Sequence, residues 1–468
     1  MEARERVGGT WDLFRYPGIR SDSDMYTLGY SFRPWAGAKS IADGASIATY
    51  IGETAREFGI DRKIRFGQRA IRAWWSSSDA RWALEVETGP DKTVVSYMCS
   101  FLFMCSGYYE YAEGYTPEWP GFARFGGQIV HPQKWPENLD YAGRRVVIIG
   151  SGATAVTLAP AMAQNAAHVT ILQRSPTYII SLPSEDPVAK WLLPRLPRKL
   201  GASLLRWKWV LTSMLFYQLS RRRPARVKNA LLSGVRAHLG PDYDVATHFT
   251  PAYNPWDQRL CMVPDADLFE AIRSGRTSVV TDQIENFTET GIHLRSGKDL
   301  DADVVVTATG LKVGLMGGMK IDIDGVPVDI GKTLNYNGMM FSGVPNLALA
   351  FGYSNASWTL KCELTAKYAC RLLNYMDANG YAACTPRHDP AVAASPIFPL
   401  SSGYIQRAEG ILPKQGSRKP WKVYQNYLLD LLALRFGKLT NPSMQFTKRG
   451  GKSGRDATPS EPVPSLSR

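Results

Sequence analysis

The sequence predicts an α/β fold built on a doubly wound, parallel sheet and interrupted by a helical insertion. Three observations carry this reading. Short, β-branched apolar runs at 100–107, 144–150, 168–174 and 303–310 read as strands covered on both faces. An Ala-rich apolar run at 153–164 separates two of them and reads as a helix, and strand–helix–strand alternation indicates parallel pairing. The span 187–241 is rich in Leu, Trp, Lys and Arg and reads as helical, with breaks at Pro194, Pro197 and Pro224.

The remaining elements follow in chain order. Segments 82–88, 93–98 and 278–294 read as antiparallel excursions with turn residues between them. Two further helices are expected at 358–376 and 421–436. The tail 448–468 lacks apolar periodicity and is expected to be disordered.

Composition excludes several classes. With 468 residues, 44% hydrophobic and 21% charged, the chain is neither collagen-like nor disordered overall, and it can bury a large core without staples. The six cysteines form no CxxC pair, which excludes the usual zinc-ribbon spacings, and no metal is expected. The N-terminus has no apolar core of a signal peptide, and the apolar stretch at 210–219 is about half of the roughly 20 residues a bilayer span needs. A cytoplasmic location is the expectation. Charge is uneven: 187–241 holds twelve Lys and Arg and no Asp or Glu, against a net charge of +13 for the whole chain.

The strongest motif lies at 144–174. A strand enters Gly150-Ser151-Gly152-Ala153-Thr154-Ala155, a helix follows, then a second strand, which is the GxGxxA form of a dinucleotide-binding turn in its required context. Gly150 permits the tight turn, Gly152 lets the backbone approach a pyrophosphate seated on the helix N-terminus, and Ala155 keeps helix and strand close. At the end of the second strand, where NAD sites place a carboxylate, the chain has Arg174 and Ser175. A guanidinium clamps a 2′-phosphate bidentately, so NADPH is the expected cofactor.

Just before this motif, residues 125–136 (FGGQIVHPQKWP) fit FxGxxxHxxxWP. This resembles the signature of Baeyer–Villiger monooxygenases within the flavin-containing monooxygenase superfamily. The loop 8–27 (GGTWDLFRYPGIRSDSDMYT) resembles the family's flavin-contacting loop, and DVVVTATG at 303–310 its late strand motif. The run 1–446 is similar to the subgroup of the mycobacterial ethionamide-activating monooxygenase. The resemblance implies two doubly wound dinucleotide-binding domains. FAD would be bound by 1–140 and 311–447, and NADP by 141–310 with the helical insertion inside it. It further implies that NADPH reduces the flavin and that reduced flavin captures O2 as a C4a-peroxyflavin. That species would attack a lipophilic ketone, giving an ester, or a thioether or thioamide, giving an S-oxide.

By the same resemblance, Arg259, in Asn254–Leu260, stabilises the oxygenating anion. A permanently charged donor suits that task. The family usually has Lys before this Arg, and here Gln258 weakens one expected contact to the NADP phosphate. Asp22 matches a carboxylate near the flavin ring that can pair with Arg259, the alternative being an Asx cap in the polar run 21–24. His131 is expected to couple domain motion to catalysis, or to be a satisfied structural histidine beside Trp135. Glu2 matches the acid on the adenosine ribose. Gly9, Thr10, Trp11, Asp12 and Ala70 are the other residues the resemblance assigns to FAD.

One family feature is missing from the sequence: the opening strand, GxGxxG turn and helix that hold the FAD pyrophosphate, on the order of 30–35 residues. The chain is therefore expected to bind FAD poorly or not at all, its start being placed too far downstream or the chain being a degraded copy. That leaves two function classes, an FAD- and NADPH-dependent monooxygenase and an inactive NADP-binding remnant. The basic span is compatible with a solvated helical face, a border to the substrate entrance, or contact with an anionic bilayer through Trp191, Trp207 and Trp209. Nucleic acid is not an expected partner, because nothing else resembles a reading motif.

Overall fold

The computed structural model describes residues 1–398 and 400–448. The expected tail 448–468 lies, beyond Lys448, outside them. At the centre is a five-stranded, all-parallel sheet in the order Thr277–Thr281, His168–Gln173, Arg145–Ile149, Val304–Thr307, Gln128–Val130. Its core strands read Val-Val-Ile-Ile and Val-Val-Val because both faces are covered; Val146, Ile148, Val169, Val304 and Val306 are buried against the helix Ala153–Met162 and the helix Asp267–Arg273. Leu172, Ile149 and Val305 face the other side, under a three-stranded antiparallel flap of Ile284–Phe287, Gly291–Leu294 and Asp299–Asp301.

Two expectations change here. The segment 278–294 is not antiparallel throughout: its start, Thr277–Thr281, pairs in parallel with His168–Gln173 and closes the edge of the main sheet. Its alternation resembles that of a half-exposed edge strand, and such a strand takes either direction. The sheet also includes Gln128–Val130, ahead of the boundary expected at 140.

A second sheet, ordered Val326–Pro327, Lys320–Ile323, Gln68–Ser76, Arg81–Thr88, Thr93–Cys99, is antiparallel apart from one parallel pairing. It carries Ala70 at a bulge, where the register slips between Ala70 and Arg72. Beside it, Leu102–Met104 and Leu347–Leu349 form a two-stranded parallel pair. Residues Glu2 and Arg4 bond instead to Arg65, Gly67 and Gln68. Among the described residues no strand joins these two pieces.

The basic span folds as expected into Pro187–Leu192, Arg198–Arg222 and Pro224–Leu239, broken at its prolines. The last expected helix is shorter, Tyr427–Phe436, because Asn426 caps it by accepting from the Leu429 N–H, so 421–426 stay outside.

Candidate functional site

The dinucleotide turn is built from backbone requirements. Gly150 has φ of 139°, and a Cβ there would run into the Ala308 carbonyl oxygen of the neighbouring strand. Gly152 caps the helix Ala153–Met162 without any side-chain bond, and the space around it is open. The first N–H groups of that helix therefore face outward, as an anion requires. Ala155 is fully buried under the strand. Ser151 and Thr154 are partly exposed and Ala153 is exposed at the mouth, while Arg174 and Ser175 stand exposed just beyond the next strand. No hydrogen bond or ion pair holds the Arg174 side chain among the described residues. An open glycine cradle and a free guanidinium at the strand end fit a dinucleotide carrying a 2′-phosphate.

The loop 8–24 lies across the same helix. Its Gly18 packs against Thr157 and Ala161. Downstream, the polar run divides its carboxylates by direction. Asp24 is buried and caps the helix Met25–Leu28, accepting from the Thr27 N–H at 2.8 Å and its hydroxyl at 2.5 Å. Burial pushes the Asp24 carboxyl up to about 6. Asp22, freed from capping, reaches Arg259, with Oδ2 at 2.9 Å from a guanidinium nitrogen. The Asx cap weighed for 21–24 exists, and Asp24 makes it.

Arg259 rides on a loop closed on itself. Asp257 N–H donates to the Asn254 carbonyl and Asn254 N–H to the Asp257 carboxylate, both at 3.0 Å. Trp256, at its tip, has φ of 69° and a buried indole N–H with no partner. A bulky residue in the left-handed region costs about 1–3 kcal/mol, and such strain clusters at ligand sites. The loop is tied to the turn by Cys261, whose thiol lies 3.8 Å from the Ser151 carbonyl. Burial pushes that thiol up to about 12, so it is an inert packing group. Asp22 raises the guanidinium's pKa further, so Arg259 is charged at every working pH.

Residues that sequence reasoning missed lie near this pair. Tyr108, Tyr109 and Tyr404 are close enough to act electrostatically on Arg259. Tyr108 and Tyr109 share a hydrogen bond of 2.7 Å, and Trp358 stacks on Tyr108 at 4.8 Å. Burial raises both tyrosines, so they remain neutral donors. The available signal was position: Tyr108 follows the carboxyl end of Leu102–Met104, where open α/β sheets bind ligands.

His131 occupies a different place. Its Nδ1 accepts from the Gln133 N–H at 3.1 Å, so Nε2 carries the proton and donates to the Gly310 carbonyl at 3.2 Å. The ring packs so tightly on Gly114 that no Cβ fits there. Both ring nitrogens are engaged by backbone, and burial lowers its pKa, so His131 is a neutral clamp between the main sheet and the strand leaving Gly310. The Arg259–Asp22 pair forms without it.

The residues expected to contact FAD make the following contacts within the chain. One Glu2 oxygen accepts from the Arg4 N–H at 2.9 Å. Gly9 precedes the short helix Thr10–Leu13, and Trp11 packs on Met25, Ala42 and Ile47. The buried Asp12 carboxylate is met by Arg4 at 2.7 Å, Arg15 at 3.3 Å and Arg6 at 3.5 Å. These guanidiniums fix the carboxylate and tie the loop to the chain's first residues. Ala70 is partly buried against the core of the second sheet.

This geometry can be set beside known proteins. A family model described as flavin-binding monooxygenase-like matches residues 41–315. The chain belongs to this flavin-binding monooxygenase family. Among its relatives, the FAD-containing monooxygenase EthA of Mycolicibacterium smegmatis is 52% identical over 450 residues, covering 96% of this chain and 91% of that protein. The probable FAD-binding monooxygenase AlmA of Acinetobacter baylyi is 49% identical, covering 98% and 92%. Among solved structures, an oxidized steroid monooxygenase bound to NADP superposes with a TM-score of 0.73 at 22% identity, covering 96% and 94% of the two chains. Open cyclohexanone monooxygenase gives 0.71 at 18%, covering 95% and 93%. The likeness to flavin monooxygenase structures establishes the α/β fold, and the family makes the chain an oxidoreductase.

Proposed function

We propose that the chain is an FAD- and NADPH-dependent monooxygenase that converts lipophilic ketones to esters, or thioethers and thioamides to S-oxides, using O2. The observation that carries this reading is Arg259. It is a permanent cation, held by Asp22 at 2.9 Å, on a loop in contact with an open dinucleotide turn. FAD, reduced by NADPH, supplies the oxygen-activating chemistry when bound.

The chain's own residues supply the rest. The turn Gly150–Ala155 offers helix N–H groups to the NADP pyrophosphate, and Arg174 offers two donors to the 2′-phosphate. Arg259 presents a fixed positive charge where negative charge develops, and Asp22 orients it. Tyr108 and Tyr109, hydrogen-bonded to each other and stacked by Trp358, stand as neutral donors within electrostatic range of this charge. The signature FxGxxxHxxxWP supports ketone chemistry over heteroatom oxygenation.

A second reading, an NADP-binding protein without turnover, is separated from the first by the experiment below. The strand pair Leu102–Met104 and Leu347–Leu349 is separate from Glu2 and Arg4, and among the described residues no glycine turn leads into a helix between them.

The deciding experiment is flavin stoichiometry of the purified 468-residue chain, followed by NADPH oxidation with and without a cyclic ketone or a thioether. Ester formation supports the first reading, and a sulfoxide as sole product assigns heteroatom oxygenation. NADP binding with no flavin and no oxidation establishes the second reading.

A further inference from the structure

The helix Arg198–Arg222 is apolar on two faces. Ala202, Leu205 and Val210 face inward and are buried. Leu200, Leu204, Trp207, Leu211, Leu215 and Leu219 recur every three or four residues on an outward face, and Leu215 is 69% exposed. The stripe runs about 29 Å at ~1.5 Å per residue. Trp191, 60% exposed, lies on the preceding helix, and Trp207 of the stripe meets Tyr427 edge-on at the start of the helix Tyr427–Phe436. A contiguous apolar surface of this extent marks an interaction site.

Charge indicates the partner. Of the twelve bases in 187–241, Arg198 and Lys199 at one end of the stripe and Arg222, Arg223 and Arg226 at the other are exposed and form no ion pair among the described residues. No acid occupies the first turn of the helix. Arg198 and Lys199 therefore sit against the positive end of the helix dipole, a placement that disfavours the helix in isolation and is offset by an external anion. A second copy of the chain fits badly, because twofold packing would set these bases against themselves. A nucleic acid would leave the leucine stripe uncovered. No helix among the described residues is long and apolar enough to cross a membrane.

We propose that the helix Arg198–Arg222 lies in the plane of an anionic lipid bilayer. Its leucine stripe enters the acyl boundary and the bases at its two ends meet lipid phosphates. The docked helix also contacts the loop that bears Arg259: Tyr217 meets Trp256 edge-on at 5.5 Å, and Arg221 pairs with Asp257 at 2.6 Å.

The test is flotation of the full chain with phosphatidylcholine vesicles, with and without one third phosphatidylglycerol, at low and high salt. Binding should need the anionic lipid and weaken with salt. Reversing Arg222, Arg223 and Arg226 to Glu should weaken it by at least a hundredfold, from about fivefold per base removed. Leu215→Asp should abolish it, while thermal unfolding of both variants stays within a few degrees of the parent. Equal binding to neutral vesicles, or no binding to either kind, overturns the proposal. So does a dimer in light scattering that Leu215→Asp dissolves, because a second copy would then cover the stripe.

Discussion

Asp22→Asn removes one charge beside Arg259 and keeps the shape of the side chain. At 2.9 Å between nitrogen and oxygen, with charge centres ~4 Å apart, the Coulomb attraction is about 1–4 kcal/mol for an effective dielectric of roughly 80 down to 20. The two side chains are 29% and 42% exposed, so solvent screens the pair and the lower part of that range applies, about 1–2 kcal/mol. If this energy orients the guanidinium in the transition state, kcat falls about 5- to 30-fold. The KM for NADPH should not change, because the turn and Arg174 are untouched. Arg259→Ala should cost more, about 10²–10³-fold, since it removes the donor itself. Combining the two should cost no more than Arg259→Ala alone, because Asp22 acts only through Arg259. The assay is product formation in saturating FAD, with bound flavin measured for each variant. An unchanged kcat in Asp22→Asn, strict additivity in the double variant, or a loss that tracks missing flavin would each refute the reasoning.

Other consequences are as direct. Arg174→Ala should raise the KM for NADPH about 10- to 100-fold, from about 1.5–3 kcal/mol of charged hydrogen bonding, and leave NADH turnover nearly unchanged; an equal loss for both would disprove the 2′-phosphate contact. Gly150→Ala places a side chain at φ of 139° against the Ala308 carbonyl. It should abolish the thermal shift given by NADP⁺, and a variant that still shows that shift would refute the turn geometry. Asp24 is held at about 6 in the fold against 3.8 for the free side chain, so the folded chain binds the proton more tightly. Stability from this group is full at low pH and lost as pH rises through 6, on the order of 1–3 kcal/mol. Asp24→Asn, which can still cap, should therefore raise the melting temperature at pH ~8 and lose that advantage below pH ~4. A constant difference across that range would contradict the assignment.

Local rules carried most of the main domain. The strand–turn–helix at 144–174, the proline breaks in 187–241 and the helix from Trp358 were legible because contiguous residues set their backbone geometry. The errors fell where context decides. Thr277–Thr281 has the alternation of an edge strand, and only the neighbour it finds makes it parallel. Residues 421–426 are apolar enough for a helix, yet the Asn426 cap excludes them.

By itself, the sequence determined the strand–glycine turn–helix and the family signature, because each is written in a short run whose chemistry does not depend on distant residues. Tertiary structure alone decided which of the neighbouring carboxylates meets Arg259. Asp22 and Asp24 are chemically alike. A helix beginning at Met25 needs an acceptor one residue before it, which takes Asp24, and the fold then brings Arg259 to the carboxylate left free.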